Sequence, residues 1–238
     1  MSVRKTRVLI ALIGLLILAA PAFAQRGHRR YYGREGAFRI HLGAFQPDGE
    51  SEYWSDKEAD FTGSVDDLEN AAFGLDYLLP LGDRLSLMFS GSVFKGDTTN
   101  AYRDFVDNFG DRIRHDTTLE IASGTVGLVF HLTGPGSAIQ PYIGGGGGAY
   151  PWRLEESGDF IDFGSPSRPI FSDTLISEGI AFGYYGLVGL EAPVTHRISI
   201  FAEGRWTQVD DELSDDFEGF GKIDLSGREF AAGISWNL

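Results

Sequence analysis

"PYIGGGGGAYPW", residues 141–152, sets five glycines in a row between aromatic-bearing flanks. Such a run is a linker, a phosphate-cradling loop or part of a sheet, and the choice decides the fold. A phosphate loop needs Gly-Lys-Ser/Thr and a helix start after its glycines, whereas Ala149, Tyr150 and Pro151 follow here. A linker would divide two domains, but the segments on both sides share one alternating pattern. The run therefore belongs to a strand, where glycine lets a tightly closed sheet bend and leaves room for bulky neighbours. With no side chains from Gly144 to Gly148, the sequence leaves the two faces of that strand unassigned.

Working outward, short segments repeat apolar residues at every second position. "AFRIHLGAF" places Phe38, Ile40, Leu42 and Ala44 opposite Arg39, His41 and Gly43. "FGLDYLL" sets Phe73, Leu75 and Tyr77 against Gly74 and Asp76, and "LSLMFSGSV" sets Leu85, Leu87, Phe89 and Val93 against Ser86, Met88, Ser90 and Ser92. "ISIFAEGRW" opposes Ile198, Ile200, Ala202 and Trp206 to Ser199, Glu203 and Arg205. "REFAAGISWNL" opposes Phe230, Ala232, Ile234, Trp236 and Leu238 to Glu229, Gly233, Ser235 and Asn237. Less regular candidates lie around 119–132, 138–150 and 180–191.

The connections alternate in length. "LPLGDR", "LTGPGSA" and "APVTHR" are short turns, while long polar segments occupy about 46–70, 95–117, 150–178 and 208–223. Those four segments hold 26 of the 34 acidic residues. A meander short-turned at one end and long-looped at the other predicts an all-β, eight-stranded antiparallel up-and-down transmembrane β-barrel. The hairpin "GLDYLLPLGDRLSLMFSG" is echoed by "GLEAPVTHRISIFAEG", with Asp76 and Glu191 in equivalent places on the small, polar face.

The chain opens "MSVRKTRVLIALIGLLILAAPAFAQ": Arg4, Lys5 and Arg7, then an apolar stretch from Val8 to Ala20, then Ala22-Phe23-Ala24. This is the layout of a secretory signal, predicting a signal peptide over 1–24. A basic periplasmic arm over 25–35 follows, and the barrel spans 36–238. Without the signal's three bases, 17 basic side chains face 34 acidic ones, a net charge of −17. So acidic a chain repels nucleic acid. There is no cysteine, which excludes a disulfide framework and any cysteine-ligated metal.

The last strand carries Gly233, aromatic Trp236 and terminal Leu238. It resembles the C-terminal strand that bacterial outer-membrane barrels present to their assembly machinery, although those usually end in Phe. "GLEAPVTHRISIFAEGRWTQV" is similar to the penultimate hairpin of the OmpA/OmpX-type outer-membrane β-barrel family, and the glycine run resembles that family's fifth strand. The resemblance covers about residues 36–238. It implies a Gram-negative outer-membrane, porin-like address with long loops at the cell surface. It also implies contact with outer-membrane lipid and lipopolysaccharide, and delivery to the barrel-assembly machinery. The family hosts adhesins, anchors, small transport proteins and a few enzymes, so its fold leaves the task open.

Small and charged residues suit a narrow lumen, so Arg39, His41, Asp76, Glu191, Glu203, Arg205 and Glu229 are expected inside as an ion-pair network that plugs the bore. Tyr77, Phe130, Tyr150, Trp206 and Trp236 are expected as interfacial aromatics. The five scattered histidines show no nucleophile–base pattern, so no catalytic, cofactor or metal residue is assigned. The acidic loops lack the fixed spacing of a calcium loop and are expected to be solvated. The leading expectation is a non-catalytic scaffold displaying loops at the cell surface. A narrow solute channel, a lipid-modifying barrel enzyme and a soluble lipocalin-like barrel with its faces reversed are the rivals.

Overall fold

The computed structural model describes residues 36–238. The signal peptide and the basic arm expected over 1–35 lie outside the described residues. Strands β1 (Ala37–Pro47), β2 (Asn70–Pro80), β3 (Leu85–Val106), β4 (Arg112–His131), β5 (Gln140–Ile161), β6 (Ile170–Pro193) and β7 (Ile198–Gln208) alternate up and down. After a small hairpin of β8 (Asp210–Glu212) and β9 (Lys222–Asp224), strand β10 (Gly227–Asn237) closes on β1. The order β1-β10-β7-β6-β5-β4-β3-β2 forms one closed barrel of eight antiparallel strands. The expected fold class is therefore the one observed.

The faces follow the alternation. Ile40 is 56% exposed and its neighbour Arg39 only 1%. Leu75, Val126, Leu128, Ile200 and Ile234 are likewise exposed, while Asp76, Ser90 and Ser235 are buried. On β4 the outward positions Ala122 to Leu132 form an unbroken small-to-apolar run. At about 3.4 Å per residue and a tilt of about 40°, that run makes a belt about 25 Å tall.

The glycine run takes its orientation from its neighbours. Tyr142 and Tyr150 on the same strand are buried, so Gly144, Gly146 and Gly148 share the inner face. In register with Gly144 and Gly146 on β6 lie Leu187 and Tyr185, both buried. A Cβ at Gly144 would stand 3.0 Å from Leu187 and one at Gly127 on β4 would strike the Tyr185 hydroxyl, so bare backbone at these two glycines leaves both side chains their space.

Two of the four segments expected as long loops are instead mostly strand. Strands β3–β6 run about ten residues beyond the belt and turn tightly at 107–111 and 162–169. Their inner residues alternate with polar outer ones, so the stretches read as uniformly polar in sequence. The tips are ordered by aspartates. Asp107 Oδ1 accepts the Phe109 and Asp111 N–H groups at 2.8 Å each, holding Phe109 91% exposed. Asp162 binds the Gly164 N–H and the Ser165 hydroxyl in the same manner.

The other two long segments fold over the barrel mouth. Residues 48–69 form a strap containing helix α1 (Glu52–Asp60) and a 3-10 turn (Val65–Leu68). Ser51 caps α1, accepting the Trp54 N–H at 3.5 Å. Nine residues are too few for a stable isolated helix, so α1 persists by packing Tyr53 and Trp54 into the interior.

Candidate functional site

Within the belt the lumen is a connected polar network. Arg39 is ion-paired with Glu191, and its guanidinium lies 4.9 Å from the Tyr142 ring centre and 4.6 Å from that of Phe201. The Tyr142 hydroxyl donates to Glu203 at 3.0 Å, and Glu203 pairs with Arg205 at 3.0 Å. Arg205 approaches Asp76 at 3.9 Å, and Ser90 donates to Asp76 at 2.5 Å. His41 bridges two carboxylates, 3.3 Å from Asp76 and 3.6 Å from Glu229. All seven residues expected in the lumen are buried and brought into this one assembly. Glycine makes the room: a Cβ at Gly74 would strike the His41 ring, and one at Gly43 would sit 2.9 Å from Glu229.

Toward the long-connection end the filling changes character. Phe45, Phe94, Ile121, Tyr150, Trp152 and Leu154 form an apolar core with Tyr53, Trp54 and Leu68 of the strap. Phe45 and Phe94 meet edge to face at 4.8 Å. The small hairpin joins in, since the Trp152 indole donates to Asp211 at 2.8 Å and the Trp54 indole to the Asp224 carbonyl at 2.9 Å.

A second buried polar cluster, which the sequence did not single out, pins the strap from the other side. Lys57 of α1 is ion-paired with Glu156 of β5 and donates to Thr117 at 2.8 Å. The Tyr53 hydroxyl donates to Glu156 at 2.7 Å, and Asn100 donates to Thr117 at 2.9 Å. His115 stands 3.7 Å from Glu156, stacked on Phe160 and edge-on to Phe61. Burial opposes the charge on Glu156, but Lys57 and the hydrogen bonds from Lys57 and Tyr53 outweigh it and hold the carboxyl below its usual range. Burial, seconded by the Lys57 cation, pushes His115 down to about 4. Burial also pulls Lys57 below its usual value against the attraction of Glu156. The signal for this cluster was faint: His115, Thr117 and Glu156 fall on inward positions only once β4 and β5 are known to extend that far.

The expected interfacial aromatics divide. Phe130, Trp206 and Trp236 are exposed on the outer face. Tyr150 is a correction. It lies eleven residues inside the end of β5, not at a strand end, and its parity turns it into the apolar core. Tyr77 is also buried, its ring covered by its register partner Phe38 at 4.9 Å. On the last strand Trp236 and Leu238 are exposed, while a Cβ at Gly233 would stand 2.8 Å from the Phe201 ring. Among the described residues no cluster of three or more His, Asp or Glu side chains is arranged to hold a metal ion.

Compared with family models and with curated proteins, the chain finds no match. Among solved structures it is similar to the outer membrane protein OprG from Pseudomonas aeruginosa, with a TM-score of 0.53 and 14% identity over 87% of this chain and 97% of that one. The attachment invasion locus protein Ail of Yersinia pestis matches at a TM-score of 0.44 and 15% identity, over 87% of this chain and 99% of that one. The outer membrane protease OmpT from Escherichia coli matches at 0.48 and 9% identity, over 86% and 94%. At such identities the likeness is one of fold, and the fold is that of the small outer-membrane β-barrels.

Proposed function

We propose that this chain is an outer-membrane barrel that works as a closed, non-catalytic binding scaffold, engaging partners through the rigid wall formed by the outer halves of β3–β6. The observation that carries this reading is the filled interior. Ion pairs occupy the lumen within the belt, an apolar core continues above it, and the strap covers the mouth. What the molecule offers to a partner is then its exterior. The wall suits the role, because its tips are fixed by aspartate-bound turns that hold Phe109 and Phe163 out in solvent. A rigid exposed aromatic loses little entropy on binding.

The membrane address rests on the belt, which matches the lipid-facing band of a transmembrane barrel. Directly above it Lys95, Glu120, Arg153 and Glu178 stand in register across four strands, with Lys95–Glu120 at 3.0 Å and Arg153–Glu178 at 3.9 Å. This charged row is suited to the headgroups of lipid and lipopolysaccharide. Trp236 and Leu238, facing out from the closing strand, are suited to recognition by the assembly machinery.

A narrow transport route is the second reading, and one feature favours it. The ladder between β4 and β5 is continuous in register but lacks pairs at Ala122–Ser123 opposite Tyr150–Pro151, where proline has no N–H to give. The experiment is a paired one on refolded protein. A gel-mobility shift on boiling establishes the closed barrel, and planar-bilayer recording then separates the readings. The scaffold expects no unit conductance and no solute flux into vesicles. Conductance or flux that responds to Pro151→Val would replace it with the transport reading.

A further inference from the structure

We infer that the strap from Asp48 to Leu68 is acid-released: the buried Lys57–Glu156–His115 cluster latches α1 over the apolar upper interior at neutral pH and frees it when the cluster takes up protons. The inference is independent of the scaffold reading and concerns how the barrel mouth is kept shut.

Geometry comes first. The strap meets the barrel along two lines. On one side it is tied to β9 and the segment after it, through Asp48 N–H to the Ser226 carbonyl at 2.9 Å, Glu50 N–H to Asp224 Oδ2 at 2.8 Å, and the Trp54 indole. On the other side it is tied to β3 by Thr62 N–H to the Ala101 carbonyl at 2.9 Å, by the Phe61–Tyr102 bridge and by Arg103 to the Glu58 carbonyl at 3.2 Å. Among the described residues its one ion pair into the barrel interior is Lys57 to Glu156, reinforced by Tyr53. The groups facing that tie are Tyr53 and Lys57 on α1, Asn100 and Tyr102 on β3, His115 and Thr117 on β4, and Glu156 on β5. Asp60 at the end of α1 and Asp116 on the outer face of β4 are the nearest further acids. Among the described residues only Glu156 offers a buried counter-charge to Lys57.

The consequence is electrostatic. With Glu156 ionised and His115 neutral, the cluster is balanced. A proton on either side chain leaves a buried net positive charge with Lys57, and a second proton doubles it. Buried charge without a partner is strongly unfavourable, and the relief available is to swing α1 and its ammonium into water. The sign is consistent for both groups. His115 titrates at about 4 in the closed state against an ordinary 6.5, so the closed state loses ground as pH falls through that window. Glu156 is held below its ordinary 4.5, so its contribution is also lost at the acid end. For His115 alone the closed-to-open ratio falls by up to about tenfold per pH unit between 6.5 and 4. Release would bare the apolar faces that Tyr53, Trp54, Val65 and Leu68 now cover.

The native chain has no cysteine, so one can be placed on the exposed face of α1 by Ser55→Cys and spin-labelled in the full barrel in vesicles. The label is expected to be immobile at pH 7 and to become mobile between about pH 6 and 4, while the gel shift on boiling persists. Glu156→Gln should mobilise it already at pH 7. The double variant Lys57→Met/Glu156→Gln, which removes both charges, should keep it immobile across the range. Three results would each overturn the latch. They are a wild-type label that stays immobile to pH 3.5, release of wild type and double variant at the same pH, and loss of the gel shift together with release.

Discussion

Replacing Arg39 by Met tests the lumen most directly. Arg39 is 1% exposed, paired with Glu191 across the bore and cradled by the Tyr142 and Phe201 rings. Methionine keeps much of the volume but leaves the Glu191 carboxylate without its cation in a place with little water. Breaking one side of such a pair costs about 3–5 kcal/mol, and the two cation–π contacts add about 0.5–2 kcal/mol. Removing both charges with Arg39→Met/Glu191→Met is a different perturbation, because no orphaned charge remains. The double variant should lie within about 2 kcal/mol of wild type or above it. The assay is urea unfolding in lipid vesicles, scored by the fraction that keeps its fast mobility before boiling. Additive losses, with the double variant worse than either single one by their sum, would refute the reasoning. So would an Arg39→Met loss under 1 kcal/mol, since an arginine outside the lumen costs little to remove.

Four further outcomes follow from the same geometry. Gly146→Ala should destabilise by about 1–3 kcal/mol, because its Cβ would stand 2.5 Å from the Gly127 Cα and press on the Val126 carbonyl. Gly186→Ala, with nothing within 4 Å, should be neutral in the same unfolding assay. Ile200→Arg, on an exposed outer position of β7, should cost about 2–4 kcal/mol in vesicles. On a water-facing surface the same change stays within about 0.5 kcal/mol, so a neutral result would remove the lipid belt. Trp236→Ala with Leu238→Ala should lower the amount recovered in the outer-membrane fraction, measured by immunoblot, while leaving the unboiled mobility of the assembled remainder unchanged.

The parts of the fold that were legible in the sequence are those where one rule holds along a whole strand. In β1, β7 and β10 the outward parity is almost wholly apolar, with Phe45 and Phe201 the large apolar residues on the inward side, so Arg39, His41, Glu203, Arg205 and Glu229 could be placed inside from the sequence. The equivalence of Asp76 and Glu191 in the repeated hairpin was legible for the same reason. The glycine run was not, because it has no side chains of its own and its inner face follows from Tyr142 and Tyr150 at its two flanks, which are buried in the fold. The strap was illegible for another reason. Lys57 and Glu156 are 99 residues apart, and each looks like an ordinary surface charge until the helix folds over the mouth.

Strands β3–β6 were legible only in part, and the cause is physical. Parity continues along each of them through the belt and beyond it, on β3 as far as the irregularity at Ala101–Val106, but the apolar side changes. On β4 the outward positions Val126, Leu128 and Phe130 are apolar, whereas beyond Ala122 the inward positions are Ile121, Leu119, the polar pair Thr117 and His115, and Ile113, and the outward ones become Glu120, Thr118 and Asp116. On β3 the switch falls between Val93, outward, and Phe94, inward; on β5 it falls between Pro151 and Trp152. Val93 pairs with Ala122, and Ala122 lies level with Pro151 between the paired rows Ile121–Trp152 and Gly124–Ala149, so the switch draws a line around this side of the barrel. A strand reverses its apolar side without breaking parity only where the medium outside it changes. Below the line the exterior is apolar and the interior carries the ion-pair network, and above it the exterior is polar and charged and the interior holds the apolar core, with the Lys57–Glu156–His115 cluster set into it. A soluble barrel bathed in one solvent would keep one phase throughout, which is why the period-two pattern, averaged over these long strands, looked irregular. The irregularity is thus informative: it marks the height at which the exterior changes from apolar to charged, the level that the proposed membrane address assigns to the lipid boundary. The charged row of Lys95, Glu120, Arg153 and Glu178 is its first water-facing row.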